Sequence, residues 1–300
     1  MRIARVLLAA LPLAGLPSCG GPVPPAARSA GGEKRIVAVA PAAAEIVDAL
    51  GATRQIVGVG DFVSWPPSVT RLPRVGAYDA PSIEGILSLH TDLLISTLSR
   101  AASPTHRRLE SLGVEVLELD TSTFDGVFAS IRAVGRAIGR EAVAAQRIER
   151  METELDAIEK RAAGLPRPRV LFVVGRDPLY VAGPGSHVDE MIRRAGGTNV
   201  AADAATSYAR VSLESVLERL PELIVDTSDN RPDAPRGQLS GSWSQWPFLP
   251  AVRDGRVWWI DPTRLVIPGV RLPEMTRLMA QLIHPEAFGT PELDGHASAP

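Results

Sequence analysis

Residues 82–95 and 212–225 repeat each other at a separation of 130 residues. The first copy reads Ser-Ile-Glu-Gly-Ile-Leu-Ser-Leu-His-Thr-Asp-Leu-Leu-Ile and the second Ser-Leu-Glu-Ser-Val-Leu-Glu-Arg-Leu-Pro-Glu-Leu-Ile-Val. Ser, Glu and two Leu coincide, and most other apolar or acidic positions are conservative exchanges. A tyrosine precedes the glutamate by six residues in each copy, Tyr78 before Glu84 and Tyr208 before Glu214. Upstream, Glu45-Ile-Val-Asp-Ala-Leu-Gly-Ala echoes Glu190-Met-Ile-Arg-Arg-Ala-Gly-Gly. One supersecondary unit used twice predicts two similar lobes. Two lobes enclose a cleft, and ligands favour concave sites at domain interfaces.

The chain is long enough for this. Three hundred residues, 45% of them hydrophobic, fill one large core or two medium ones, and the repeat favours two. Basic and acidic residues number 32 and 34, with no long basic run, which argues against a nucleic-acid partner.

The first residues read as an export signal. Arg2 and Arg5 precede an apolar run from Val6 to Leu16. That run falls well short of the roughly 20 residues a helix needs to cross a bilayer, but suits the hydrophobic region of a signal peptide. It ends at Leu16-Pro17-Ser18-Cys19-Gly20, which resembles a bacterial lipobox, with Cys19 as the lipidated new N-terminus. Cys19 is the only cysteine, so there is neither a disulfide framework nor a cysteine-based metal site. The competing reading is a cleaved soluble signal with an incidental cysteine. Residues 1–19 are assigned to the signal, the Gly/Pro/Ala/Ser-rich residues 20–34 to a flexible tether, and 291–300 to an unstructured tail.

Between these ends the pattern is α/β. Expected strands at 35–40, 56–60, 92–96 and 114–119 alternate with helices at 42–50, 82–89 and 104–112, which implies parallel βαβ units and a first lobe over 35–122. A connector over 123–164 follows, with helices at 125–138 and 141–163. In the second of these Ile148, Met151, Leu155, Ile158 and Ala162 step by three and four along one face, and neither Pro nor Gly interrupts it. The result is one long rigid rod joining the lobes. Alternation then restarts over 168–290: strands at 170–174, 223–226 and 257–260, helices at 186–195, 212–219 and 271–283.

Catalytic signatures are missing. There is no nucleophile elbow, no P-loop and no HExxH. Gly58-Val59-Gly60 lacks the third glycine of a dinucleotide fingerprint, since Val63 stands there. The five histidines show no metal-ligand spacing, and most read as surface residues. His187, in the turn Gly183-Pro184-Gly185-Ser186-His187, is either a helix start or a ligand contact. The fourteen aromatics say more. Tyr78, Tyr180 and Tyr208 fall in expected loops, as do Trp65, Trp243 and Trp246, whereas Phe172, Trp258 and Trp259 fall within strands. Loop aromatics in a two-lobed protein suit a large, flat, partly apolar ligand. The alternative is that each ring anchors its own loop. Glu84 and Glu214 both stand in a first helical turn, where a carboxylate stabilises the helix dipole. That accounts for either one, but less well for both keeping Ser-x-Glu with a tyrosine upstream.

Taken together, the chain resembles the periplasmic binding proteins of ABC importers for cobalamin, haem and iron-siderophores. The motifs are Ile36-Val-Ala-Val-Ala-Pro with Glu45-Ile, Val57-Gly-Val-Gly-Asp, Trp65-Pro-Pro, Leu72-Pro-Arg-Val-Gly, Val181-Ala-Gly-Pro-Gly-Ser, Ala195-Gly-Gly-Thr-Asn-Val, Asp254-Gly-Arg-Val, and Pro268-Gly-Val-Arg with His284-Pro-Glu. They run from about Arg35 to Phe288 and look most like the cobalamin receptors. The resemblance implies two Rossmann-like lobes joined by one rigid helix, with the ligand cleft between them. It further implies that Glu84 and Glu214 dock on permease arginines, and that Trp65, Tyr78 and Tyr208, with Tyr180 and Arg264, line the cleft. No reaction, resident cofactor or metal is expected. A corrinoid is the expected cargo, with haem or an iron-siderophore as the alternative. The expected partners are the permease and its ATPase, and the expected state is an extracytoplasmic monomer held to the membrane by its N-terminal lipid. From another class, an exported two-lobed enzyme of the nitrogenase-like type would need cluster-ligating cysteines, and the single Cys19 argues against it.

Overall fold

The computed structural model describes residues 32–97, 103–228, 237–238 and 243–291. Cys19, the leader and the tether to residue 31 lie outside this set, as do His296 and the tail from residue 292.

Two sheets carry the fold. In the first, the parallel strands Ile56–Val59, Ile36–Ala38, Leu93–Ser96 and Glu115–Glu118 lie in that order. The second has a parallel core of Thr198–Asn199, Arg169–Arg176, Leu223–Asp226 and Val257–Trp259. Numbered along the chain, both read 2-1-3-4, so the duplication is topological as well as sequential. Helices Pro41–Ala49 and His187–Arg194, which carry the second echo, occupy the same place between strands one and two of their lobes.

The second sheet has additions the sequence did not announce. Arg169–Arg176 runs past its parallel neighbour and folds back through residues 177–178 as Leu179–Ala182, and Tyr208–Arg210 pairs with the returning strand. Tyr180 and Tyr208 therefore sit in strands, not loops, which corrects the sequence reading. Tyr78 occupies the turn between the two-residue strands Gly76–Ala77 and Ala80–Pro81.

Helix starts follow local chemistry. Ser82, Ser103, Thr123, Ser186 and Ser212 each accept a bond from the backbone N–H three residues on, filling an otherwise orphaned donor. The connecting helix spans Glu141–Ala162, with Ala144, Ile148, Met151, Leu155, Ile158 and Ala162 on its buried face. Its 22 residues give a rod of about 33 Å. It packs against Phe124–Ala137, His187–Arg194 and Leu272–Ile283.

Two separate cores were expected, but the inner faces of both sheets and the helices between them form one continuous apolar cluster from Ile36 to Ile283. Smaller clusters cover the outer faces, around Ile86 and Leu109 in the first lobe and Val216 and Trp243 in the second. The lobes share a core because the connecting helices are amphipathic wedges between them. A buried ion pair adds to the seam: Arg271 Nε and Nη2 reach Glu45 Oε2 and Oε1 at 3.0 and 2.7 Å. Glu45 is 2% exposed and lies 226 residues away in sequence.

Candidate functional site

The duplicated segment builds the same object twice. From 82 to 96 and from 212 to 226 the succession of exposed, half-buried and buried positions is identical. Ser82 and Ser212 cap the helices Ile83–Ser88 and Leu213–Glu218 through the N–H of Gly85 (3.0 Å) and Ser215 (3.2 Å). Glu84 and Glu214 stand exposed in the first turns. Bonds from its own backbone N–H and from Ser212 hold the Glu214 carboxyl below the ordinary carboxylate value. Each helix ends on a residue with positive φ, His90 at 49° and Leu220 at 46°, the two non-glycine residues of that kind among those described. Beyond it, Asp92 and Glu222 each accept the backbone N–H of an arginine, Arg35 and Arg169, at 2.9 Å. The guanidinium Nε of each arginine donates to a carbonyl at the helix end, Leu89 at 2.9 Å and Leu220 at 3.0 Å.

The carboxyl ends of the two sheets meet at the inter-lobe seam. Ser122, four residues past the strand Glu115–Glu118, accepts the backbone N–H of His187 at 2.8 Å. His187 opens its helix behind the Ser186 cap and is 2% exposed. Its Nε2 lies 3.3 Å from the Leu265 carbonyl and its Nδ1 3.2 Å from the Tyr208 hydroxyl. Burial pushes the imidazole down from 6.5 to about 4 and the phenol up from 10.0 to about 12, so both are neutral over the physiological range. Tyr208 keeps 39% of its surface exposed while its hydroxyl is held inward. Tyr180 projects from the same face of the sheet, since Tyr208 pairs with Ala182 and Arg210 with Tyr180. Arg264 is half-buried on Pro262–Leu265, beside the carbonyl that holds His187.

In the first lobe the loop after Ile56–Val59 is organised by one guanidinium. Arg74 donates to the carbonyls of Gly60 (2.7 Å), Asp61 (3.1 Å), Val63 (2.8 Å) and Thr70 (3.3 Å). Val63 is buried beneath, Trp65 half-buried, and Phe62 left 63% exposed. Phe62 packs edge-on against Tyr78, with ring centroids 6.5 Å apart and planes at 62°. The sequence reading missed Phe62, although it meets the criterion applied to the tyrosines: an aromatic outside any expected element, in a Pro-rich loop.

Two aromatic pairs result, Phe62–Tyr78, with Trp65 three residues along the Phe62 loop, and His187–Tyr208, with Tyr180 on the same face, and no ring contact joins Tyr78 to Tyr208. Trp243 belongs to neither. It is 3% exposed and donates Nε1–H to buried Asp226 at 3.0 Å. Asp226 also takes the Arg176 guanidinium and both donors of Ser228. Trp243 is thus a loop anchor, not a ligand surface. The histidines need correction as well: His106, His187 and His284 are all buried, while His90 is exposed. A recess of about 440 Å³ lined by Lys34, Asp92, Glu110 and Glu115 opens at the far end of the first sheet, away from the seam. Among the described residues no group of three or more His, Cys, Asp or Glu is placed to hold a metal, and no helix is long and apolar enough to cross a membrane.

Comparison with known proteins agrees with this architecture. Residues 36–263 match a periplasmic binding protein family. An uncharacterized ABC transporter substrate-binding lipoprotein of Bacillus subtilis is 29% identical over 262 residues, 85% of this chain and 81% of that one. A vitamin B12-binding protein of Salmonella typhimurium is 29% identical over 191 residues, 64% of this chain and 71% of its own length. Among solved structures, a periplasmic heme-binding protein of Vibrio cholerae superposes with a TM-score of 0.74 at 26% identity, covering 84% of this chain and 99% of that one. The periplasmic vitamin B12-binding protein of the same organism gives 0.70 at 25%, covering 84% and 96%. Overall likeness therefore does not separate a corrin from a porphyrin.

Proposed function

This chain belongs to the periplasmic binding protein family as a substrate-binding component of an ABC importer of the cobalamin, haem and siderophore class, and we propose that its cargo is cobalamin or a related corrinoid. The observation that carries this reading is the state of His187. It is a buried histidine at the seam, and both its ring nitrogens are engaged, Nε2 on the Leu265 carbonyl and Nδ1 on Tyr208. No lone pair remains there for haem iron, and Tyr208 itself resists forming a phenolate. Cobalamin carries its own axial base as well as its ring, so it asks the protein for apolar faces and hydrogen-bonding groups and not for a ligand to its metal. Tyr78, Tyr180, Tyr208, Trp65 and Arg264 supply both kinds of contact. The chain performs no reaction on its cargo. The 22-residue connecting helix and the Glu45–Arg271 pair across the seam favour delivery with little lobe closure.

Glu84 and Glu214, equivalent in both copies and exposed at helix starts, dock on arginines of the permease, which passes the cargo on with its ATPase. Cys19 carries the lipid that holds the protein at the extracytoplasmic face. Labelling with palmitate checks this, and Cys19→Ser is expected to abolish the label without altering the melting temperature. Haem is the second reading, favoured by the heme-binding structural neighbour. Equilibrium binding of cyanocobalamin, haem and ferric siderophores to the soluble protein decides between them. Tight haem binding with no cyanocobalamin binding would reverse the assignment.

A further inference from the structure

The Leu265 carbonyl is an acceptor only, so the His187 Nε2 that faces it at 3.3 Å carries the proton. A neutral imidazole has one N–H, which leaves Nδ1 bare. The Tyr208 hydroxyl, 3.2 Å from Nδ1, is therefore the donor in that bond. The hydroxyl proton points into the protein, and toward the cleft the phenol oxygen offers lone pairs alone. We infer that His187 is a positioning residue that makes Tyr208 a one-way acceptor, so that the site selects cargo presenting N–H donors, such as the carboxamides rimming a corrin, over cargo presenting carboxylates.

Three features support this. The His187 ring is held at both nitrogens, Nε2 by Leu265 and Nδ1 by Tyr208, so turning the ring over would break both bonds. Burial keeps it neutral, which excludes the doubly protonated ring that would reverse the bond. The equivalent Tyr78 meets Phe62, which neither donates nor accepts in this way. The polarity is thus imposed on one tyrosine of the pair. A carboxylate set against an acceptor-only oxygen loses a hydrogen bond and gains a repulsion, whereas a carboxamide donates into it. This inference rests on the cargo assignment above, but the imidazole tautomer can be read without any cargo.

The test has two arms. Nitrogen-15 NMR of the histidine-labelled protein should show the His187 Nε2–H tautomer, and a signature of Nδ1–H overturns the inference. Binding is then compared for cyanocobalamin and for cobyrinic acid, the corrin with its side-chain amides replaced by free carboxylates. His187→Met frees the Tyr208 proton and should strengthen cobyrinic acid about tenfold, or about 1.4 kcal/mol, while cyanocobalamin stays within about threefold. Tyr208→Phe, which leaves His187 in place if the methionine variant folds poorly, should weaken cyanocobalamin about tenfold and cobyrinic acid little. A purely structural role for His187 would move both ligands by the same factor, and an unchanged ratio in both variants overturns the inference. If no corrinoid binds the wild-type protein, the cargo assignment falls. Haem, whose propionates also only accept, should then bind His187→Met more tightly than wild type, and equal affinity overturns the inference.

Discussion

The two copies of the duplicated segment agree along one edge and part company along another. On the outer edge they share the serine cap, the exposed glutamate, the left-handed residue at the helix end, and the arginine clamped by a carboxylate. At the cleft edge, Tyr78 leans on an exposed phenylalanine and Tyr208 is bonded to a buried histidine. Under the docking proposed above, the edge held to the same shape twice is the one that presents Glu84 and Glu214 to the permease. A cargo without two-fold symmetry is better served by two different walls. The second echo divides similarly: Glu45 is buried against Arg271 across the seam, and its counterpart Glu190 lies in a partly exposed network with Arg193 and Arg194.

The glutamates of the second echo give the largest expected contrast. Arg271→Met strands the Glu45 carboxylate in the core and should cost about 3–5 kcal/mol, the range for breaking a buried pair on one side. Arg194→Met removes a guanidinium shared by Glu159 and Glu190, with side chains 43% and 28% exposed, and should cost no more than about 1 kcal/mol. Denaturant unfolding measures both. Equal losses would mean that the seam pair is no more buried in solution than its counterpart.

Acid should separate the two tyrosine clusters next. Above pH 6.5 the folded and unfolded chains both hold His187 neutral, and its share of stability is fully present. As the pH falls toward 4 the unfolded chain takes up a proton that the fold refuses, so stability declines until the folded-state value is passed. The gap between 6.5 and about 4 corresponds to roughly 3 kcal/mol. His187→Gln should flatten the loss between pH 6.5 and 4, and Phe62→Leu should leave it intact. A wild-type profile that stays level over this window would place His187 in contact with water.

Docking tests the edge on which the copies agree. Glu84→Ala and Glu214→Ala should each impair vesicle uptake to a similar degree, with each lost charge-assisted bond worth about 1.5–3 kcal/mol, and the double variant more severely. Binding of cargo to the soluble protein should stay level. Wild-type uptake by the double variant would remove the docking assignment, and a large difference between the single variants would break the equivalence of the copies.

Much of the outer edge was legible in sequence because its causes are local. A serine cap, a glycine after a helix, and the three-and-four spacing from Ile148 to Ala162 each act within a turn or two of chain. The cleft edge was less legible because its bonds join distant positions. Nothing near His187 announces Tyr208, 21 residues on, and nothing near Glu45 announces Arg271. The strand Leu179–Ala182 was missed because Asp177-Pro178 reads as an ending, although here it turns the chain back on its own sheet. Tyr208–Arg210 was missed because three residues are too few to show alternation. Trp243 was misplaced because sequence places a ring in a loop without saying that Asp226 beneath it is a buried acceptor.

The smallest expected effect bears on the tyrosines themselves. Each should contribute about 0.5–1.5 kcal/mol of aromatic packing to cargo beyond its buried area, so Tyr78→Ala should weaken binding by up to about tenfold, and Tyr208→Ala, which also removes the hydroxyl, by more than Tyr208→Phe does. Stability should distinguish them. Tyr78 is 43% exposed and rests on a phenylalanine that is itself largely in water, so its loss should leave the melting temperature nearly unchanged. Tyr208 fills the hydrogen-bonding need of a buried imidazole. Its removal leaves Nδ1 of that buried ring without its donor, a cost of about 1–3 kcal/mol. Tyr208→Phe isolates that cost because the ring is kept. Titration with cyanocobalamin beside a thermal melt separates the cases. Equal melting temperatures for the two alanine variants would show that water replaces the hydroxyl at His187. An unchanged affinity with a lowered melting temperature at Tyr208 would make that residue a strut of the seam, leaving the first lobe's Phe62–Tyr78 pair as the wall that meets the cargo.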